Sequence, residues 1–140
     1  MARILAAVLA LILGGNGLVM LFAGAWWYGV VPGVPATGPY NPHFVRDIGA
    51  AYLVTGAALG WFAARPRQGW PALCAAAAFL TLHAAIHVFD AVCGTKPLAD
   101  MTRDFAAIYL PALITVAIAL NRPIEIGGPT EMRRPAERSA

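Results

Sequence analysis

The chain has 140 residues, of which 59% are hydrophobic and 12% are charged, and its formal net charge is +3. These values exclude an ordinary soluble globular domain, in which about 25% of residues are charged, and they indicate a chain surrounded by the lipid bilayer. The 10 lysines and arginines are scattered and form no basic face, so the sequence also excludes nucleic acid as a partner.

The first two predicted elements are membrane-spanning helices, because each covers the roughly 20 apolar residues that cross a bilayer core of about 30 Å. Residues 4–27 are predicted to be a retained helix, since the apolar run is longer than that of a cleaved signal peptide. Residues 42–64 follow Asn41, whose side chain can cap a helix, and begin with Pro42 at the first helical position, where no N–H is needed.

The third and fourth spans are predicted at residues 70–92 and 101–120. A tight turn at residues 65–69 separates the second span from the third, and Pro111 is expected to kink the fourth. Pro, Gly, Glu and Arg dominate the remainder of the chain, so residues 121–140 are predicted to be a disordered cytoplasmic tail.

The distribution of basic residues predicts the orientation of these spans. Seven arginines lie on the side that holds both termini and the loop between the second and third spans, whereas three basic residues lie on the other side. Because basic residues favour the cytoplasmic side, both termini are predicted to be cytoplasmic. The predicted fold class is all-α, an integral membrane four-helix bundle of antiparallel helices over residues 1–120.

Small residues in the second span provide a surface for close helix packing. Gly49, Gly56 and Gly60 fall on one helix face at about 100° per residue, and such a stripe lets two backbones approach closely. The partner of this stripe is either another helix of the same chain or a second protein, in a homo-oligomer or a larger membrane complex.

Ionisable residues in the third span form the main candidate site. His83, His87 and Asp90 are separated by four and three residues, which places them on one helix face. With a rise of about 1.5 Å per residue, His83 lies about 12 Å and His87 about 6 Å below the predicted outer boundary. Ionisable side chains at such depths are costly and normally face the bundle interior or a cavity, so they indicate a functional site.

The starts of the second and fourth spans carry further ionisable residues at the same outer level. The predicted ligand- or metal-binding residues come from the second and third spans: His43, Asp47, His83, His87 and Asp90. Arg46 is predicted to be the charge partner of these aspartates. Asp104 and Arg103, at the start of the fourth span, are predicted to have a secondary role.

This set of residues is compatible with several kinds of chemistry. Histidines together with aspartates can hold a divalent metal ion, since imidazole and carboxylate are common ligands of zinc and related metals. An arginine-paired carboxylate next to neutral histidines can instead transfer protons, and hydrogen bonds between helices are a purely structural alternative. The cofactor and any catalytic residues therefore stay unassigned, with a divalent metal ion as one alternative.

The four short spans, with Arg46-Asp47-Ile48-Gly49 opening the second, resemble the DoxX-like group of small bacterial four-helix membrane proteins. The resemblance covers residues 4–120. It implies a location in the bacterial cytoplasmic (inner) membrane and a redox accessory role, because named members have been linked to quinone-coupled sulfur oxidation or to redox homeostasis. The ladder of His83, His87 and Asp90 does not map onto a DoxX motif.

The first functional hypothesis is a membrane protein whose periplasm-proximal His/Asp/Arg pocket binds a metal ion or a small polar ligand, with the redox or quinone-linked chemistry that the resemblance implies. The alternative from another class is a non-catalytic bundle that acts as an accessory subunit of a larger membrane complex. A proton-coupled transporter is less favoured, because the polar residues of the third span stop about halfway across the bilayer.

Overall fold

A computed structural model describes residues 1–121, so the predicted tail lies outside the described residues except for Asn121. All regular structure in this part of the chain is helical, which confirms the all-α prediction. The elements in chain order are α1 (Ala2–Phe22), α2 (Gly24–Val30), a 3₁₀ turn (Val34–Thr37), α3 (Pro42–Ala64), α4 (Pro66–Cys93), α5 (Pro97–Asp104), a π-helical turn (Phe105–Tyr109) and α6 (Leu110–Leu120).

Within residues 1–121, four helices are long and apolar enough to cross a membrane: Ala2–Phe22, Pro42–Ala64, Pro66–Cys93 and Pro97–Leu120. Only 22–33% of the residues in their most apolar windows are buried, so large apolar side chains cover the outside of the bundle. Such a continuous apolar exterior is unusual for a soluble monomer and is expected where lipid is the solvent. The chain therefore has the helix number and the surface of a multi-pass membrane protein.

The second predicted span matches α3, whereas the others begin or end elsewhere. The Asn41 side chain accepts hydrogen bonds from the backbone N–H groups of His43 and Phe44 at 3.1 and 3.2 Å, as an N-cap does. The first predicted span is broken at Ala23, which has a non-helical conformation between α1 and α2. The turn before α4 was predicted at residues 65–69 but consists of Arg65 alone. Helix α4 already begins at Pro66, which occupies the first helical turn, where its missing N–H has no cost.

Pro111 changes the hydrogen-bonding pattern of the fourth span. A proline within a helix cannot donate to the carbonyl four residues earlier, and its ring crowds that turn. The π-helical turn Phe105–Tyr109 directly precedes this region, and in it the N–H of Leu110 donates to the carbonyl of Phe105. This turn follows directly on Asp104, and π turns of this kind often accompany functional sites.

The helices pack side by side around a core that includes Leu13, Met20, Leu59 and Leu73. Helix α1 packs on α3, α3 on α4, and α4 on α6, whereas the contact between α1 and α6 is slight. At one end of the bundle the Arg3 Nε donates a hydrogen bond of 2.8 Å to the carbonyl of Ala63. The bundle is therefore tightly joined on three sides and looser between α1 and α6.

The glycine stripe of α3 packs against α1 of the same chain. A Cβ atom on Gly56 would lie 2.8 Å from the Cα and the backbone nitrogen of Gly14, and one on Gly49 would lie 2.8 Å from the Cβ of Met20. A Cβ on Gly60 would make only an ordinary contact of 3.8 Å with Ala10. Packing within the chain is thus confirmed, while a homo-oligomer or membrane partner stays a prediction, and α1 already occupies most of this face.

Candidate ligand pocket

The short helix α5 arranges its charged side chains for local pairing. Asp100 lies in its first turn and Arg103 in its last, and both positions are favourable for the helix dipole. The two side chains are three residues apart and meet on one face, where Arg103 Nη1 donates to Asp100 Oδ1 at 2.6 Å. This pair holds the guanidinium next to the following residue, Asp104.

Asp104 is the centre of the charged network. Arg103 donates from Nε to Asp104 Oδ1 at 2.8 Å and from Nη2 to Asp104 Oδ2 at 3.2 Å. The Nδ1 atom of His87, on α4, lies 2.7 Å from Asp104 Oδ2, and with an ionised carboxylate the imidazole is the donor. Asp104 is only 8% exposed. A buried carboxylate is costly unless it is paired and hydrogen-bonded, and here it is both.

The ring of His83 continues this network into the bundle. It lies 4.8 Å from the ring of His87, 5.7 Å from that of Tyr52 and 5.9 Å from that of Phe79, measured between centroids. The Phe79 ring is stacked on His83, with an interplanar angle of 15°, and the Tyr52 ring meets it edge-on. The His83 ring therefore packs between α3 and α4, and the His87 ring meets Asp104 of α5.

A cavity of about 290 Å³ opens beside this network. Its lining, which we call the ligand pocket, joins the loop before α3 to the facing ends of α4 and α5: Pro32, Gly33, Val34, Ala36, Thr37, His87, Asp90, Ala91, Asp100, Arg103 and Asp104. Gly33 has a φ of +87°, and a Cβ there would lie 2.7 Å from Arg103 Cζ. Only glycine fits such a left-handed position at this close approach, so the loop lies directly on the guanidinium.

The structure does not bring His43 and Asp47 of α3 to this site. His43 and Asp47 pair with each other at 3.4 Å on the surface, where their side chains are 88% and 62% exposed. Within residues 1–121 neither bonds to His83 or His87, and Asp104 takes the place predicted for them. The reason is rotation: His43 and Asp47 precede the buried Val45 and Gly49 by two residues, or about 200° around the helix.

Arg46 differs from its predicted role, whereas Asp90 lies at the pocket. Arg46 is exposed and makes no ion pair in the described part of the chain, so Arg103 is the charge partner instead. Asp90 lines the ligand pocket as predicted, but it makes no hydrogen bond or ion pair with other residues in the range 1–121. Asp90 is exposed, so its carboxylate is hydrated and has no protein partner in this range.

The predicted metal site is not supported by the geometry. No group of three or more His, Cys, Asp or Glu side chains within residues 1–121 is arranged to hold a metal ion. His87 Nδ1 and Asp104 Oδ2 are 2.7 Å apart, a direct hydrogen bond. Two ligand atoms around a tetrahedral zinc ion with bonds of about 2.0–2.1 Å would be on the order of 3.3 Å apart.

The sequence alone did not single out Phe79 or the loop at Gly33 as parts of the site. Phe79 was detectable, because it precedes His83 by four residues on the same helix face. The loop has no local signal, since its role depends on its contact with Arg103, far away in the chain.

Comparison of the chain with protein families, with curated proteins and with solved structures found no match. The function is therefore argued from the site itself. The arrangement offers a small cavity with a fixed hydrogen-bonding wall, which can bind a polar molecule and orient it.

Proposed function

We propose that the chain is a multi-pass protein of the bacterial cytoplasmic membrane with antiparallel helices and both termini in the cytoplasm. The hydrogen bond between Arg3 and Ala63 supports this order, because it joins the start of the first span to the end of the second. The loop after α2 and the start of α5 line one cavity, which supports a common side for the ends of the first and third spans. The excess of arginines on the opposite side then makes this the periplasmic side.

A reporter fusion tests this topology. A reporter fused after Ala140 is expected to be active only as a cytoplasmic reporter, whereas one inserted at Gly38 is expected to be active only as a periplasmic one. Paired phosphatase and fluorescent-protein fusions at both positions measure this. A periplasmic reporter signal after Ala140 would contradict the four-span arrangement.

The function that the site supports best is binding of a small polar ligand, neutral or cationic, in the ligand pocket. The observation that carries this proposal is the Asp104 network in the wall of the cavity, because its members are held in place before any ligand arrives. The cavity of about 290 Å³ is at the small end of ligand sites. A small molecule with few polar groups fits this volume.

The charges in the pocket favour a cation over an anion. The lining contains the carboxylates of Asp90, Asp100 and Asp104 against the single guanidinium of Arg103. Arg103 already donates to two of these carboxylates, so its charge is compensated within the protein. Asp90 lacks a partner within residues 1–121 and provides the free carboxylate for an ammonium group.

Thermal unfolding of the purified protein in detergent tests this binding. Ethanolamine, choline and putrescine are the probes, with acetate at equal ionic strength as the anionic comparison. At least one amine is expected to raise the unfolding temperature saturably, since a ligand at about 100 times its Kd adds about 2.7 kcal/mol. Asp90→Asn is expected to remove this effect.

Asp47→Asn is the matched control, because it removes an exposed carboxylate of another helix face. It is expected to keep the full response to the amine. An equal response to acetate, a response that survives Asp90→Asn, or no response to any of the three amines would contradict a cation-binding pocket. The redox or quinone-linked role implied by the DoxX-like resemblance stays a prediction.

A further inference from the structure

A second cavity, of about 470 Å³, lies where the bundle is loosest, between α1 and the fourth span. Its walls, which we call the lateral groove, are mostly aliphatic: Leu5, Val8, Leu9, Ile12, Leu13, Asn16, Trp27, Val31, Tyr52, Ala106, Ala107, Ile108, Leu110, Pro111 and Ile114. It shares no lining residue with the ligand pocket. The π-helical turn and Pro111 form one wall, so the irregular part of the fourth span shapes this groove.

Some polar groups of the lateral groove have hydrogen-bond partners within the protein, and one does not. Trp27 Nε1 donates to Asn16 Oδ1 at 2.8 Å, and the Asn16 amide donates to the sulfur of Met20 at 3.5 Å. Tyr52 is only 5% exposed, yet it makes no hydrogen bond with any residue in the described range 1–121. The Tyr52 hydroxyl is not among the fully buried side-chain atoms that lack a partner within residues 1–121, so it keeps accessible surface, and a polar group that reaches it from the groove gains a hydrogen bond.

We propose that the lateral groove binds an uncharged single-chain amphiphile from the bilayer, with its hydroxyl or carbonyl head group hydrogen-bonded to Tyr52. The head group is uncharged because, among the residues that the structure describes, no Asp, Glu, Lys, Arg or His lines the groove. The tail of the amphiphile is apolar because the remaining walls of the groove are aliphatic. Burying a charged group against these walls would cost much free energy. This site rests on the membrane location proposed above and is independent of the ligand pocket.

The geometry also explains why one chain is preferred to a double-chain lipid. The groove is bounded on one side by α1 and on the other by the fourth span, which still touch each other. A volume of about 470 Å³ holds one chain and its head group, since drug-sized ligands fill sites of about 300–1,000 Å³. The second chain of a phospholipid would remain outside, and its charged head group would find no partner in the groove.

Photolabelling of the full chain in detergent tests this proposal. The probe is a long-chain primary alcohol that carries a diazirine within its chain, and the labelled residues are mapped by mass spectrometry. Labelling is expected to saturate with probe concentration and to map to lining residues of α1 and of the fourth span. Tyr52→Phe, which removes only the hydroxyl, is expected to raise the half-saturating concentration about 3- to 10-fold.

Two comparisons separate a specific site from ordinary contact with lipid. Tyr40→Phe removes a phenol that does not line the groove and is expected to leave labelling unchanged. Ala107→Phe fills the groove and is expected to abolish saturable labelling even if Tyr52→Phe lowers the yield of folded protein. Labelling that rises without saturation, that is unaffected by Tyr52→Phe, or that a matched fatty carboxylate displaces equally well would overturn the proposal.

Discussion

Gly56→Leu is expected to leave little folded protein, because the new side chain would be driven into the backbone of α1. Even the Cβ atom alone would lie 2.8 Å from the Cα of Gly14 and 2.9 Å from the carbonyl oxygen of Ala10. These atoms belong to a helix backbone and cannot rotate away as a side chain can. Since overpacking a tight contact costs about 1–3 kcal/mol for small additions, the larger leucine is expected to exceed this range.

A pair of alanine substitutions measures the same effect at smaller scale. Gly56→Ala is expected to lower the free energy of unfolding in detergent by about 1–3 kcal/mol. Gly15→Ala is expected to raise it by about 0.5–1 kcal/mol, because alanine favours a helix and nothing lies within 4 Å of the new Cβ. If both variants changed stability in the same direction, the close contact between α1 and α3 would be wrong.

Asp104→Ala is expected to destabilise the protein by about 2–3 kcal/mol. The substitution removes the acceptor of His87 Nδ1 and of two Arg103 nitrogens. The loss is limited because the Arg103 side chain is 37% exposed and keeps its bond to Asp100, so water and Asp100 can still compensate its charge. Chemical unfolding in detergent, followed by circular dichroism, measures the change.

Asp47→Ala is the matched control for this prediction. It also removes an aspartate paired with a histidine, but both side chains are largely exposed. Exposed ion pairs contribute little, so the expected change is within about 0.5 kcal/mol. Equal losses in the two variants would show that Asp104 is no more important to the fold than a surface carboxylate.

The sequence determined the helix content and the number of long apolar helices. Hydrophobic periodicity and composition are local properties of the chain. An apolar run of about 20 residues therefore predicts a membrane span whatever its packing partners are. The α3 boundaries were predicted closely, since Asn41 and Pro42 act within one turn of the helix they begin. The glycine stripe was also visible, because Gly49 and Gly56 are two turns apart on the same face.

The sequence also predicted that the ionisable residues of α4 share one face, because spacings of four and three determine a common face without reference to other helices. Their partner was not visible. Choosing between Asp47 and Asp104 requires the rotation of α3 and of the fourth span about their own axes, and both carboxylates lie at the predicted outer level.

The tertiary structure decided this choice through packing. The glycine contacts turn Val45 and Gly49 toward the interior, which leaves His43 and Asp47 outside. A short α5 ahead of the π-helical turn places Asp104 beside His87, and the left-handed Gly33 brings the loop onto Arg103. Which polar residues meet is therefore a property of helix rotation and loop placement, and these depend on contacts between residues far apart in the chain.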